Sequence, residues 1–300
     1  MMMHPRAGQL AMVALISLCS GCATLPYRAG PPPRESERTL RLRPGEEQVV
    51  RGRPYAVLDA SDWIWPGSWL GKLILWNARV DSHEISTNTE QVLEDYLAIN
   101  ELSNVKVRLN QYSPGDEWRR LFHNRAVGAG WRYTLGLFSV LNYTILPGRF
   151  FGGDHYNAYT DSINLYSDIP AVVVHEGGHA KDWGRRKYKG THAFLYALPG
   201  APLYYEAVAT SDALGYLRET QPLALQKQGY NVLYPAYGTY VGGTLGQIIY
   251  DPYGLYAMGM VIPGHIVGRI KSARLSDAKP EGTVEPGVAP EAPAQEPPAQ

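Results

Sequence analysis

The stretch VVVHEGGHAKDW, residues 172–183, decides how the rest of the chain is read. Its helical reading places His175 and His179 four positions apart, so both imidazoles share one face and can hold one metal ion between them. Glu176 stands beside that face, able to reach a water molecule without ligating, and can serve as a general base. The two residues between the histidines, Gly177 and Gly178, look like a defect. Glycine costs about 1 kcal/mol relative to alanine in a helix interior. They make sense if residues 177 and 178 point away from the metal face, toward the sheet or a neighbouring helix whose backbone comes close. On that reading Gly178→Leu overpacks the domain.

Working outward, Val172 to Val174 buries the start of the helix, and Pro170 falls in its first turn, where a missing N–H does no harm. Ser167 and Asp168 are candidate caps. The preceding stretch TDSINLYSD alternates Ile163 and Leu165 and reads as a short strand over 160–166. Downstream, LYYEAVATSDAL begins a second helix. Its Glu206 shares a face with the small residues Ala209, Thr210 and Ala213, which let that helix press close to the first. A catalytic zinc with one open position needs a third protein ligand, and Glu206 is the leading candidate. His192, in KYKGTHAF, is the weaker one, and His155 in FGGDHYNAY caps a turn or lines the cleft.

HExxH followed 27 residues later by Glu in an E-A-x-A setting resembles the gluzincin group of zinc metallopeptidases, over about residues 160–215. The resemblance implies His175, His179 and Glu206 as zinc ligands and Glu176 as base. It also implies that the strand before the motif is an edge strand, pairing with an extended peptide. One departure is visible. The group's aspartate four residues after the ligand glutamate is Thr210 here, so a histidine must be oriented from elsewhere, with Asp182 the candidate. An oxyanion donor is sought among Tyr188, His192, Tyr204 and Tyr205.

Composition supplies the frame. The chain has 300 residues, with 28 basic and 28 acidic side chains and a net charge of zero, so there is no basic surplus for nucleic acid. The two cysteines are Cys19 and Cys22. Arg6, the apolar run Leu10–Leu18 and LCSGC read as a lipoprotein signal peptide over 1–21, with Cys22 the acylated (palmitate-bearing) residue and the outer membrane, on its periplasmic side, the expected location. The alternatives are plain secretion and an N-terminal membrane anchor. No thiolate is then left in the folded part, so a metal site must use His, Asp or Glu. Residues 22–48 read as a Pro-rich tether and 273–300 as a disordered Pro-rich tail. Basic RRKYKG, 185–190, reads as favourable charge at a helix end.

Residues 49–272 read as one domain. Thr87 with Glu90 is a capping box opening a helix that carries Val92, Leu93, Tyr96 and Leu97 on one face. NVKVRLN reads as a half-buried strand, Ser113–Pro114 as a helix start, and 132–146, apolar all round, as a buried helix or strand pair or a membrane-contacting element. Gly238, Gly242 and Gly246, then the DPYG turn at 251–254, then Gly264 and Gly268 suggest two short helices with close backbones, the second interrupted by Pro263. The hairpin either packs within the domain or dips into lipid.

The expected architecture is therefore α+β and zincin-like: a small mixed sheet, an active-site helix, a second ligand-bearing helix and a glycine-rich helical hairpin. The expected function is a zinc metallopeptidase of the bacterial envelope, holding one Zn2+ and acting on a peptide or envelope protein. The alternative is a non-catalytic envelope scaffold with a structural or vestigial metal site.

Overall fold

The computed structural model describes residues 26–31, 40–53, 66–146 and 153–276. Cys22, the signal peptide and nearly all of the Pro-rich tail lie outside them. Four short strands, β1 (Val49–Arg51), β2 (Lys106–Leu109), β3 (His155–Asn157) and β4 (Ser162–Leu165), form one mixed sheet in the order β1-β2-β4-β3. β1, β2 and β4 run parallel, while β3 pairs antiparallel to β4 with Tyr156 opposite Ile163. With the helices around this sheet, the chain is α+β.

Two strand expectations are corrected. The strand before the motif is interior, paired on both sides, and the edge belongs to β3. β2 is fully rather than half buried. Its apolar face joins the core through Val107 and Leu109. Its polar face is neutralised, with Arg108 donating to Glu117 at 3.0 Å and to Asp116 at 2.5 Å, and Lys106 lying 3.5 Å from Glu46. A buried charge is tolerated only when paired in this way.

The helices are α1 (Pro66–Leu75), α2 (Thr87–Ile99), α3 (Pro114–His123), the short α4 (Ala129–Trp131), α5 (Leu137–Ile145), α6 (Pro170–Arg185), α7 (Lys189–Tyr196), α8 (Ala201–Thr220), α9 (Leu223–Ile249) and α10 (Leu255–Ala273). A π-turn, Arg132–Gly136, joins α4 to α5. α5 is a helix but is not buried all round: it buries Val140 and Tyr143 and exposes the apolar Phe138, Leu141 and Ile145. The cap of α2 is Ser86, one residue before the expected Thr87; its hydroxyl accepts the Thr89 N–H. Asp168 and Ser167 do not cap α6. Asp168 instead accepts from Ser86 and Thr89, at 2.7 and 2.5 Å, and Ser167 accepts the Asp81 N–H. The start of α6 is thereby tied to the start of α2.

α6 is the centre of the molecule, packed by β3 and β4 on one side and by α2, α8 and α9 on the others. Part of the expected tether also lies on the domain. The Tyr27 ring meets Tyr216 edge-on, and buried Lys181 donates to the Arg28 carbonyl at 2.8 Å and to Asp212 at 2.7 Å.

The glycine-rich hairpin is α9 and α10, far longer than two short helices; α9 runs through Pro235 and α10 through Pro263. Their backbones nearly touch. A Cβ on Gly238 would lie 2.5 Å from the Met260 carbonyl, one on Gly268 2.5 Å from the Tyr230 carbonyl, and one on Gly242 would strike the Tyr256 carbonyl. Such contact admits only glycine. Gly243, one residue along, faces open space. Gly242→Ala is therefore expected to lower the melting temperature sharply, while Gly243→Ala raises stability by up to about 1 kcal/mol through helix propensity. Thermal denaturation of the pair checks this. Among the described residues no helix is long and apolar enough to cross a membrane.

Candidate metal centre

Pro170 opens α6 without needing a donor, and Val173 and Val174 seat its first turns in the core. From that anchored helix His175 and His179 project toward α8. The glycines between them provide clearance on two other sides. A Cβ at 177 would lie 2.6 Å from the Tyr96 ring of α2, and one at 178 would lie 3.1 Å from the Ala209 carbonyl of α8. α8 can therefore approach until Glu206, one turn before Ala209, reaches the histidines.

The resulting geometry is tight. His175 Nε2 is 3.1 Å from Glu206 Oε2, His179 Nε2 is 3.3 Å from Glu206 Oε1, and the two Nε2 atoms are 3.2 Å apart. Imidazole nitrogens facing each other at that distance repel unless a proton or a cation lies between them. Zinc with ligand distances of about 2.0–2.2 Å in a tetrahedron separates its donors by about 3.3 Å, so the spacing fits the ion. Among the described residues this is the one group of three metal-ligating side chains close enough to share an ion.

The carboxylates differ in setting. Burial acts to raise Glu206, but His179 and His175 outweigh it and hold the group far below the usual carboxylate range. Tyr196 donates to Glu206 Oε1 at 2.5 Å, and its own hydroxyl is pushed up by burial and by that carboxylate. Glu176 has no such company. Burial pushes it up to about 8, against the pull of nearby His175, while Glu206 and Asp154 add to the rise; the Tyr156 N–H of β3 is its hydrogen-bond donor. The partner that orients His175 is Thr210, whose hydroxyl lies 3.4 Å from Nδ1. The residue standing where the motif's aspartate was missing thus occupies the orienting place itself.

A cleft of about 270 Å³ opens over this centre. Its floor is His179, Glu176 and Glu206, one wall is β3 with His155 and Tyr156, and the other carries Tyr196 and Tyr240. His155 stands on the edge strand, its Nδ1 bonded to the Gly153 carbonyl. Sequence reasoning missed both tyrosines of the wall. Tyr240 had one signal: it lies on the side of α9 opposite Gly238 and Gly242, so the face that is free once α10 has docked turns it toward the cleft. Its hydroxyl is raised by burial and by Glu206, and bonds to Tyr196.

The residues expected as oxyanion donors or orienting groups gather elsewhere. Asp182 pairs with Arg186 at 2.6 Å, not with His175 or His179. Arg186 and the Tyr205 hydroxyl both meet His192 Nδ1, at 3.2 and 2.9 Å. Burial and the Arg186 charge lower His192. Tyr204 is exposed beside the Arg186 guanidinium, and Tyr188 is exposed beside Lys187. Trp183 stands between the cleft and Tyr205. It lines the cleft, packs on Tyr205 at 5.0 Å between ring centroids and meets His179 edge-on, while Asp182, His192, Tyr204 and Tyr205 do not line the cleft. Comparison with protein-family models, curated proteins and solved structures finds no match to this chain.

Proposed function

We propose that this chain is a zinc-dependent metallopeptidase of the bacterial cell envelope, with a zincin-like catalytic core of the gluzincin type that its motif resembles. The observation that carries the reading is the set of three donors 3.1–3.3 Å apart, with a buried carboxyl that is not one of them facing the same cleft. His175, His179 and Glu206 would hold the ion. Two imidazoles and a carboxylate, without thiolate, suit catalytic zinc. When bound, zinc supplies Lewis acidity to the scissile carbonyl and acidifies water.

The chain's own groups do the rest. Glu176 accepts the proton of the attacking water and returns it to the leaving amine. The Tyr240 hydroxyl, on the wall of the cleft, would turn from Tyr196 to donate to the oxygen that gains charge. β3, with its outer edge unpaired among the described residues, offers backbone groups to an extended peptide or envelope protein. A purely structural metal site has no use for an acid buried beside it at the cost Glu176 bears, which weighs against the scaffold reading. The envelope location and lipid anchor rest on the N-terminal signal and Cys22.

Metal analysis of the purified protein tests the centre. About one zinc per chain is expected, and Glu206→Ala should lose it. A wild type without stoichiometric zinc overturns the reading, and an alanine variant with full zinc affinity removes Glu206 from the ligand set. Tyr196→Phe deletes the bond that orients Glu206, so zinc affinity should fall about 10–100-fold in a competition titration.

A further inference from the structure

Among the described residues, the hairpin leaves an apolar face uncovered. On α10, Leu255, Ile262, Ile266 and Ile270 are exposed, spaced to lie opposite the Gly264–Gly268 face that presses on α9. On α1, Trp69 and Leu73 are exposed four residues apart, and Trp76, in the turn just past the helix end, is exposed as well. The two stripes are one face. Trp76 stacks on buried His265 at 4.1 Å, the Arg269 guanidinium lies 4.6 Å over the same ring, and His265 Nε2 donates to the Ile74 carbonyl at 2.8 Å. Apolar surface of this extent on a folded chain marks an interaction site.

Charge and side-chain type select the occupant. No acid occurs in α1 or anywhere from 252 to 276, while Arg269, Lys271 and Arg274 lie on the last turns of α10. A cleft of about 430 Å³ beside Trp76 is lined by Lys227 and Arg269 and contains no acid. At the other end of the stripe Tyr250, Tyr253 and Tyr256 are exposed. Isoleucines flanked by Trp, Tyr, Arg and Lys match the layering of a membrane surface, apolar beneath and anionic above. With no described helix able to span a bilayer, such a face can only lie in its plane.

We infer that the α1–α10 face seats on an anionic lipid surface, with Leu73, Trp76, Ile262, Ile266 and Ile270 in the acyl boundary and Lys227 and Arg269 at the headgroup phosphates. This contact is separate from any acyl chain on Cys22 and independent of the chemistry at the metal centre.

The test uses the full chain with Cys19→Ser and Cys22→Ser, carrying a polarity-sensitive dye at Ile266→Cys, mixed with vesicles of phosphatidylethanolamine and phosphatidylglycerol. The dye should shift to the blue and become shielded from an aqueous quencher. The same dye at Ser103→Cys, on the exposed loop between α2 and β2, should not respond. Adding Ile262→Glu and Ile270→Glu should raise the lipid needed for half the shift at least tenfold, with an unchanged melting temperature, and salt should weaken binding. A silent dye at 266 overturns the proposal. So does an equal response to neutral phosphatidylcholine vesicles, or a shift that grows with protein concentration without lipid, which assigns the face to a second copy.

Discussion

Glu176→Gln should retain one zinc per chain and lose peptide hydrolysis by about 10²–10⁴-fold, the usual contribution of a positioned general base. The side chain keeps its size and its place in the cleft and loses only the ability to take a proton. A second readout comes from the metal-free protein. Burial holds the Glu176 carboxyl at about 8 in the folded chain, against 4.5 for an ordinary glutamate. Between those values the folded state keeps a proton that the unfolded state has released, so the stability present below pH 4.5 is lost as pH rises toward 8. Glutamine has no proton to lose. With zinc removed by a chelator, Glu176→Gln should melt higher than wild type at pH 8, and the gap should close as pH falls to 4.5. Activity unchanged by the substitution, in a protein that still holds zinc, would transfer the base role to another group and favour a structural metal site.

Gly178→Leu is expected to cost about 3 kcal/mol or more in stability and to weaken zinc binding at the same time. A Cβ alone at 178 would sit 3.1 Å from the Ala209 carbonyl and 3.2 Å from its Cα. These are backbone atoms of a long helix, unable to swing aside as a side chain can. Overpacking a well-filled interior by a few methylenes costs typically 1–3 kcal/mol, and here the strain falls on the helix carrying Glu206. Moving α8 outward draws Glu206 from His175 and His179 together. Thermal melting and zinc competition should therefore fail in parallel. A leucine variant with wild-type stability and full zinc affinity would mean that α6 and α8 are not in contact at this position.

The local signals in the chain were enough for much of this. The i, i+4 histidines, Glu206 with its small-residue face, the Pro170 start and the glycine hairpin each follow from spacing, because a helix repeats every 3.6 residues wherever it lies. Such reasoning stops where pairing is non-local. The resemblance put β4 at the edge of the sheet, yet β2, more than fifty residues earlier, pairs with one side of it and β3 takes the outer place. The likeness to gluzincins pointed away from Thr210, since a threonine is not the aspartate of that pattern; the packing of α8 put its hydroxyl against His175 regardless. Asp182 lay three residues after His179, a spacing that suits an orienting group, but Arg186 one turn further on claimed it.

By itself, the sequence singled out His175 and His179 as a candidate metal-ligating pair, Glu176 as a candidate base and the helices that carry them, because these follow from residue type and helical period; Glu206 as the leading third candidate came from its small-residue face and the resemblance. Only the tertiary structure decided which strand faces the cleft, why Gly177 and Gly178 are glycines on two different accounts, and that Tyr196 and Tyr240 rather than Tyr204 and Tyr205 stand over the centre. Those outcomes depend on how closely separate elements approach and on which rings come between them. The 3.1–3.3 Å donor triangle exists because α8 can touch α6 at a residue without a side chain.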